Sequence, residues 1–140
     1  MAILDKAPGL DVCILVDGVP LQEYPDDEEE TVEESDAAKY RASRTVTNYV
    51  ESASNKEYGI RIKLGTQFRF DYPTLQVYVK VDGKVVRQPI LHRSDYENMP
   101  SLKRIISGVP AGELNSEGRQ LMKNFKFSEI ELSTLNLAEL

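Results

Sequence analysis

The stretch 75-LQVYVKVDGKVVRQPIL-91 decides the fold. Leu75, Val77, Val79 and Val81 alternate with polar or aromatic neighbours, the period of a strand whose side chains point to opposite faces in turn. Asp82-Gly83 follows, a dipeptide that tolerates the positive φ angles of a two-residue type I′ turn. Val85, Val86 and Ile90 then resume the apolar pattern, so the stretch reads as an antiparallel hairpin. Pro89 carries no amide donor, which places that part of the returning strand at a sheet edge or at its end.

Reading outward, period-two alternation recurs. In 10-LDVCILV-16, Val12, Ile14 and Val16 share one face while Asp11, Cys13 and Leu15 share the other. Both faces carry apolar residues, which predicts a well-buried strand, and Asp17-Gly18 supplies a second turn dipeptide. The stretch 45-TVTNYVE-51 is rich in β-branched residues. In 58-YGIRIKL-64, Tyr58, Ile60, Ile62 and Leu64 are expected inside, with Arg61 and Lys63 in solvent. Two readings fit 101-SLKRIISG-108: a short helix capped by Ser101 and stopped at Gly108, or a strand through Leu102, Ile105 and Ile106. Its length favours a strand or a single turn. In 120-QLMKNFKFSEIEL-132, apolar alternation at Phe125 and Phe127 slips near Ser128 and Glu129 and resumes at Ile130 and Leu132, the trace a β-bulge leaves. No stretch of about twelve residues reads as an amphipathic helix, though residues 113–123 have room for a short one. Roughly seven short strands separated by turn signals predict an all-β fold: an antiparallel β-sandwich or partly closed barrel with a long acidic loop. Val12, Ile14, Ile60, Ile62, Val77, Val79, Phe125 and Phe127 are expected to share its core.

A chain of 140 residues with 41% hydrophobic content fits one folded domain over residues 1–140. Runs such as 12-VCILV-16 are too short to span a bilayer, and the first residues lack the sustained apolar run of a secretory signal. One cysteine, Cys13, excludes an internal disulfide and fits a buried, inert thiol; an intracellular setting, cytoplasmic or nuclear, is expected. The net charge of −6 conceals a segregation. Residues 22–36 hold nine acids and no base, whereas residues 37–93 hold eleven bases against four acids. Residues 24–38 are therefore expected to form a flexible acidic loop, and residues 133–140 a tail.

The pattern gives little support to catalysis. His92 stands alone, so neither a His-based zinc site nor a triad has spacing behind it, and no phosphate-binding glycine motif or nucleophile elbow occurs. The acidic run 26-DDEEETVEESDA-37 lacks the alternating ligands and central glycine of a calcium loop, so neither metal nor cofactor is expected. Paired carboxylates acting as an enzyme's acid and base stay open in so acidic a chain, with no spacing to favour them. Lys39, Arg41 and Arg44 begin a basic stripe interleaved with tyrosines, yet the adjoining acids would repel nucleic-acid phosphate. Tyr49 and Tyr58 are read as strand packing. The candidate binding residues are Asp26, Asp27, Glu28, Glu29, Glu30, Glu33 and Glu34 in the acidic run, with Lys39, Arg41 and Arg44 beside it.

The order 16-VDGVPLQEY-24, an acidic gap, 49-YVESASNKEYGIRIKL-64, 77-VYVKVDGK-84 and 124-NFKFSEIEL-132 resembles an uncharacterised domain found in many fungal proteins. In that family a strand ends in a DG-x-x-L-x-EY segment and an acidic linker. A strand closing on S-x-x-G-K-x-F, a VDG hairpin and a final F-x-F strand follow. Here 54-SNKEY-58 has no glycine where the family usually has one. The resemblance implies a fungal, intracellular, β-rich domain and carries no activity or catalytic residue with it. Two functions remain open: a non-catalytic module that binds another protein, and an acidic-loop chaperone for histones or other basic proteins. The acidic run is also placed to shield the basic stretch that follows it.

Overall fold

The computed structural model describes residues 2–3, 6–26, 35–99 and 101–129. Its elements, in chain order, are β1 (Ala2–Ile3), β2 (Leu10–Val16), β3 (Val19–Pro20), β4 (Glu23–Pro25), α1 (Asp36–Ala42), β5 (Asn48–Val50), β6 (Gly59–Leu64) and β7 (Thr74–Gln76). There follow β8 (Val79–Val81), β9 (Lys84–Arg87), β10 (Ile90–His92), α2 (Arg93–Asn98), β11 (Leu102–Ile106), β12 (Gly108–Leu114) and β13 (Gln120–Asn124). All pairings are antiparallel, and the fold is all-β with two short helices. Among the described residues the sheets do not close into a barrel. No helix among the described residues is long and apolar enough to cross a membrane.

A central sheet, ordered β1-β2-β6-β11 with β3 folded back on β2, organises the molecule. Its registers place Leu10, Leu64 and Leu102 in one row and Val12, Ile62 and Arg104 in the next, all on one face. On that face Ile62, Leu64, Leu102 and Ile106 are buried with Val79, Leu91 and Phe125 from the surrounding segments. Fully burying a leucine such as Leu64 contributes about 1.5–3 kcal/mol. On the opposite face Cys13 and Leu15 are also buried, as apolar residues on both sides of β2 require. Of the eight expected core residues, Ile62, Val79 and Phe125 lie in this cluster, and Val12, Ile60 and Val77 pack against it. Ile14 and Phe127 are half-buried outside it. Phe127 lies beyond β13, held between Asn55 and Lys56 by two backbone hydrogen bonds and against the Tyr58 ring at 4.6 Å.

The two Asp-Gly dipeptides turn their hairpins as expected. Asp82 and Gly83 have φ of 50° and 77° between β8 and β9, and Asp17 and Gly18 have 52° and 77° between β2 and β3. The hairpin around Asp82 is interrupted: β9 stops at Arg87 before Pro89, and β10 resumes at Ile90 against β7. Val77 bridges the gap by donating its N–H to the Pro89 carbonyl at 3.0 Å. Asn55, in the turn that lacks the family's glycine, takes φ of 60°, a conformation asparagine tolerates. Gly9 has no such substitute: at φ +87°, a Cβ there would stand 2.4 Å from the Phe68 amide nitrogen.

Several expectations need correction. Residues 108–114 and 120–124 form a hairpin, not a short helix. Gly118 takes φ of 76° inside the expected helix, and the Asn115 side chain accepts from the Glu117 and Arg119 amides at 2.9 Å to shape a turn there. Arg61 and Lys63 are half-buried rather than solvated, on a face they share with the buried Cys13. Residues 101–108 resolve to the strand reading, with Ile105 outward. The phase slip leading to Ile130 and Leu132 and the tail 133–140 lie outside the described residues.

Candidate functional site at the root of the acidic segment

The residues that lead into the acidic run form one strand of a two-stranded ribbon. β4 pairs with β5 so that Glu23 opposes Val50, Tyr24 opposes Tyr49 and Pro25 opposes Asn48. Opposed residues share a face, which sets Tyr24 and Tyr49 side by side, 52% and 55% exposed. At the ribbon's end the Asp26 amide donates to the Thr47 carbonyl at 3.2 Å, and the Tyr49 hydroxyl donates to Asp26 Oδ2 at 3.2 Å. The result is an exposed aromatic pair with a carboxylate fixed at its rim.

The chain re-enters the described structure at Ser35, whose hydroxyl accepts from the Ala38 amide at 3.2 Å and caps α1. Asp36 lies in the first turn and Lys39 and Arg41 in the last, signs that suit the helix dipole. Thr45 Oγ1 donates to the Arg41 carbonyl at 2.7 Å and closes the C-terminal end. The helix buries none of its residues. Arg44 lays its guanidinium 3.8 Å from the centre of the Tyr40 ring.

Of the expected binding residues, Asp26 sits on the ribbon, and Lys39, Arg41 and Arg44 gather on α1 and just beyond it. Asp27, Glu28, Glu29, Glu30, Glu33 and Glu34 lie outside the described residues. The expected loop 24–38 is structured at both ends, since Tyr24 and Pro25 pair in β4 and Asp36 opens α1. Tyr49 is not packed away as its strand position suggested. Its register with Tyr24, two tyrosines flanked by Glu23 and Asp26, was the signal that could have revealed it. His92, at the end of β10, is exposed.

Chemically, this arrangement suits recognition. An aromatic face attracts Lys or Arg heads, as Arg44 on Tyr40 demonstrates within the molecule, and a neighbouring carboxylate adds a charge-assisted partner. Among the described residues no three His, Cys, Asp or Glu side chains converge to hold a metal ion. Away from the ribbon, burial pushes the Tyr58 phenol above its usual range, and the Asp82 carboxylate pushes it further.

Fold and ribbon together define an all-β, antiparallel domain with aromatic and acidic side chains displayed on a narrow surface element. The chain belongs to the family described as a domain of unknown function (DUF7918), whose pattern matches residues 9–139. No curated protein and no solved structure matches it.

Proposed function

We propose that the domain is a non-catalytic protein-interaction module and that the β4–β5 ribbon is its contact element. The observation that carries this reading is the Tyr24–Tyr49 pair, more than half exposed on a two-stranded ribbon. Tyrosine offers large contact area at low entropic cost and is enriched where proteins meet. The ribbon's partner is a protein, neither a membrane nor a nucleic acid, met in the cytoplasm or nucleus of a fungal cell. Burial on both faces of the central sheet supports a sandwich as the scaffold.

A second reading, a chaperone for histones or other basic proteins, is favoured by one feature: the carboxylate of Asp26 held against Tyr49 where the acidic run begins. Asp27, Glu28, Glu29, Glu30, Glu33 and Glu34 would extend the same charge, and Lys39, Arg41 and Arg44 would bound it. Binding of purified core histones, followed by anisotropy at about 50 and 300 mM salt, separates the two readings. Tight binding that fades with salt and drops in Tyr24→Ala/Tyr49→Ala supports the chaperone. Failure to bind histones at either salt removes it. The general module is refuted if the double variant retains every partner that the wild-type domain captures.

A further inference from the structure

The opposite kind of surface lies at the β11 border of the central sheet. β11 is an outer strand: β6 pairs with one side, and no described strand pairs with the other. Beside this edge is a cavity of about 500 Å³ lined by Arg61, Lys63, Lys103, Arg104 and Met99, with no carboxylate among its lining residues. Lys63 and Lys103 stand directly opposite each other, an arrangement that costs stability unless an anion intervenes. Arg61 is half-buried, and its Nε–H is enclosed without a hydrogen-bond partner. Among the described residues, of the four cations only Arg104 has an ion pair, to Asp95 at 4.0 Å. Asp11 opposes Lys63 from β2 but forms no ion pair with it.

We infer that this edge binds an acidic, extended peptide segment as an added strand. The free edge of β11 supplies the main-chain donors and acceptors that only another backbone can use in series. The cations set the chemistry of the side chains. Lys103 and Lys63 lie on adjacent strands about 4.8 Å apart, and Lys63 and Arg61 at same-face positions about 6.8 Å apart, so these three match a row of carboxylates rather than one compact anion. An added strand with an acid at every second residue directs its carboxylates to the face of Lys103, Lys63 and Arg61. Met99, 59% exposed, offers an apolar contact at the cavity's rim. This surface is separate from the Tyr24–Tyr49 ribbon, opposite in charge preference, and does not rest on the function proposed for it.

The test uses the full chain and two labelled peptides of about eight residues, one alternating Glu and Val and one alternating Glu and Pro, with inorganic phosphate as a third probe. The peptides carry the same charge, but only the first can donate along a strand edge. Expected are salt-sensitive binding of the Glu-Val peptide, at least about tenfold weaker binding of the Glu-Pro peptide, and slowed amide exchange at Lys103–Ile105. Lys103→Gln should weaken the Glu-Val peptide about three- to tenfold while the melting temperature of the free domain stays the same or rises as the repulsion with Lys63 is relieved, and Arg61→Gln serves as a second variant. Equal binding of both peptides, full displacement by phosphate, or no binding of the Glu-Val peptide at low salt would each overturn the inference.

Discussion

The β4–β5 ribbon and the β11 edge solve opposite problems with the same secondary structure. The ribbon carries exposed tyrosines and a positioned carboxylate on two strands outside the central sheet. The edge belongs to the sheet itself, backed by Leu102 and Ile106 in the core, and it gathers cations. Charge that flanks a thin ribbon can be rearranged at little cost. Charge set into a half-buried sheet face is constrained by its neighbours, and each missing partner there costs free energy. The edge is therefore the more rigid recognition surface, and the ribbon the more adaptable one.

The harshest way to break the comparison is to remove what both surfaces share. Leu64→Ala, fully buried on the strand between β2 and β11, should destabilise the domain by about 2–5 kcal/mol and abolish binding at the edge. A melting temperature within a degree or so of wild type would show that the row Leu10, Leu64, Leu102 is not the core of the sheet. Replacing Asp27, Glu28, Glu29, Glu30, Glu33 and Glu34 with serine should leave the fold intact, remove histone binding and raise affinity for heparin about three- to tenfold, because the acids no longer shield the basic stretch. If heparin affinity stays the same while histone capture disappears, shielding is ruled out and the acids are the binding element alone.

A finer distinction comes from Arg61. Replacing it with Met removes a buried donor that has no partner and keeps the apolar stem, so the apo domain should gain about 1 kcal/mol, a few degrees of melting temperature. A loss of stability would mean that the guanidinium is already satisfied, which would weaken the case for an incoming anion. The smallest effect concerns Tyr58. Its raised pKa means that the folded state favours the neutral phenol, so its contribution is complete below the ordinary value of 10.0 and is lost as pH rises above it. Tyr58→Phe should flatten this alkaline fall in stability, and parallel pH curves for the two proteins would refute the assignment.

Alternation made the longer strands legible, and Asp82-Gly83 fixed the pairing of β8 with β9; Asp17-Gly18 was legible as a turn, but the two-residue β3 that follows it is too short to carry a pattern. Alternation also separates the two faces of a strand, but it does not say what covers the second one. Arg61 and Lys63 therefore read as solvent-facing when the fold half-buries them. For the same reason Tyr49 read as packed when its ribbon has an open face. The seven-residue α1 escaped notice because its signal is local capping by Ser35 and Thr45 rather than an apolar stripe. Of the candidate site, Asp26 and the three cations after it were visible as charge. Tyr24 beside Tyr49 depends on register across more than twenty intervening residues, which one strand's pattern does not encode.

The cations along β11 also bear on how this protein tolerates crowding by its own copies. An unpaired outer strand is a template for edge-to-edge association, the first step toward open-ended aggregates. Were two copies to meet antiparallel through β11, Lys103 and Arg104 of each would be brought against the same residues of the other, and the like charges would resist the approach. The edge can thus stay uncovered without becoming adhesive to itself. Neutralising Lys103 and Arg104 would remove that guard, and concentration-dependent self-association would be the cost.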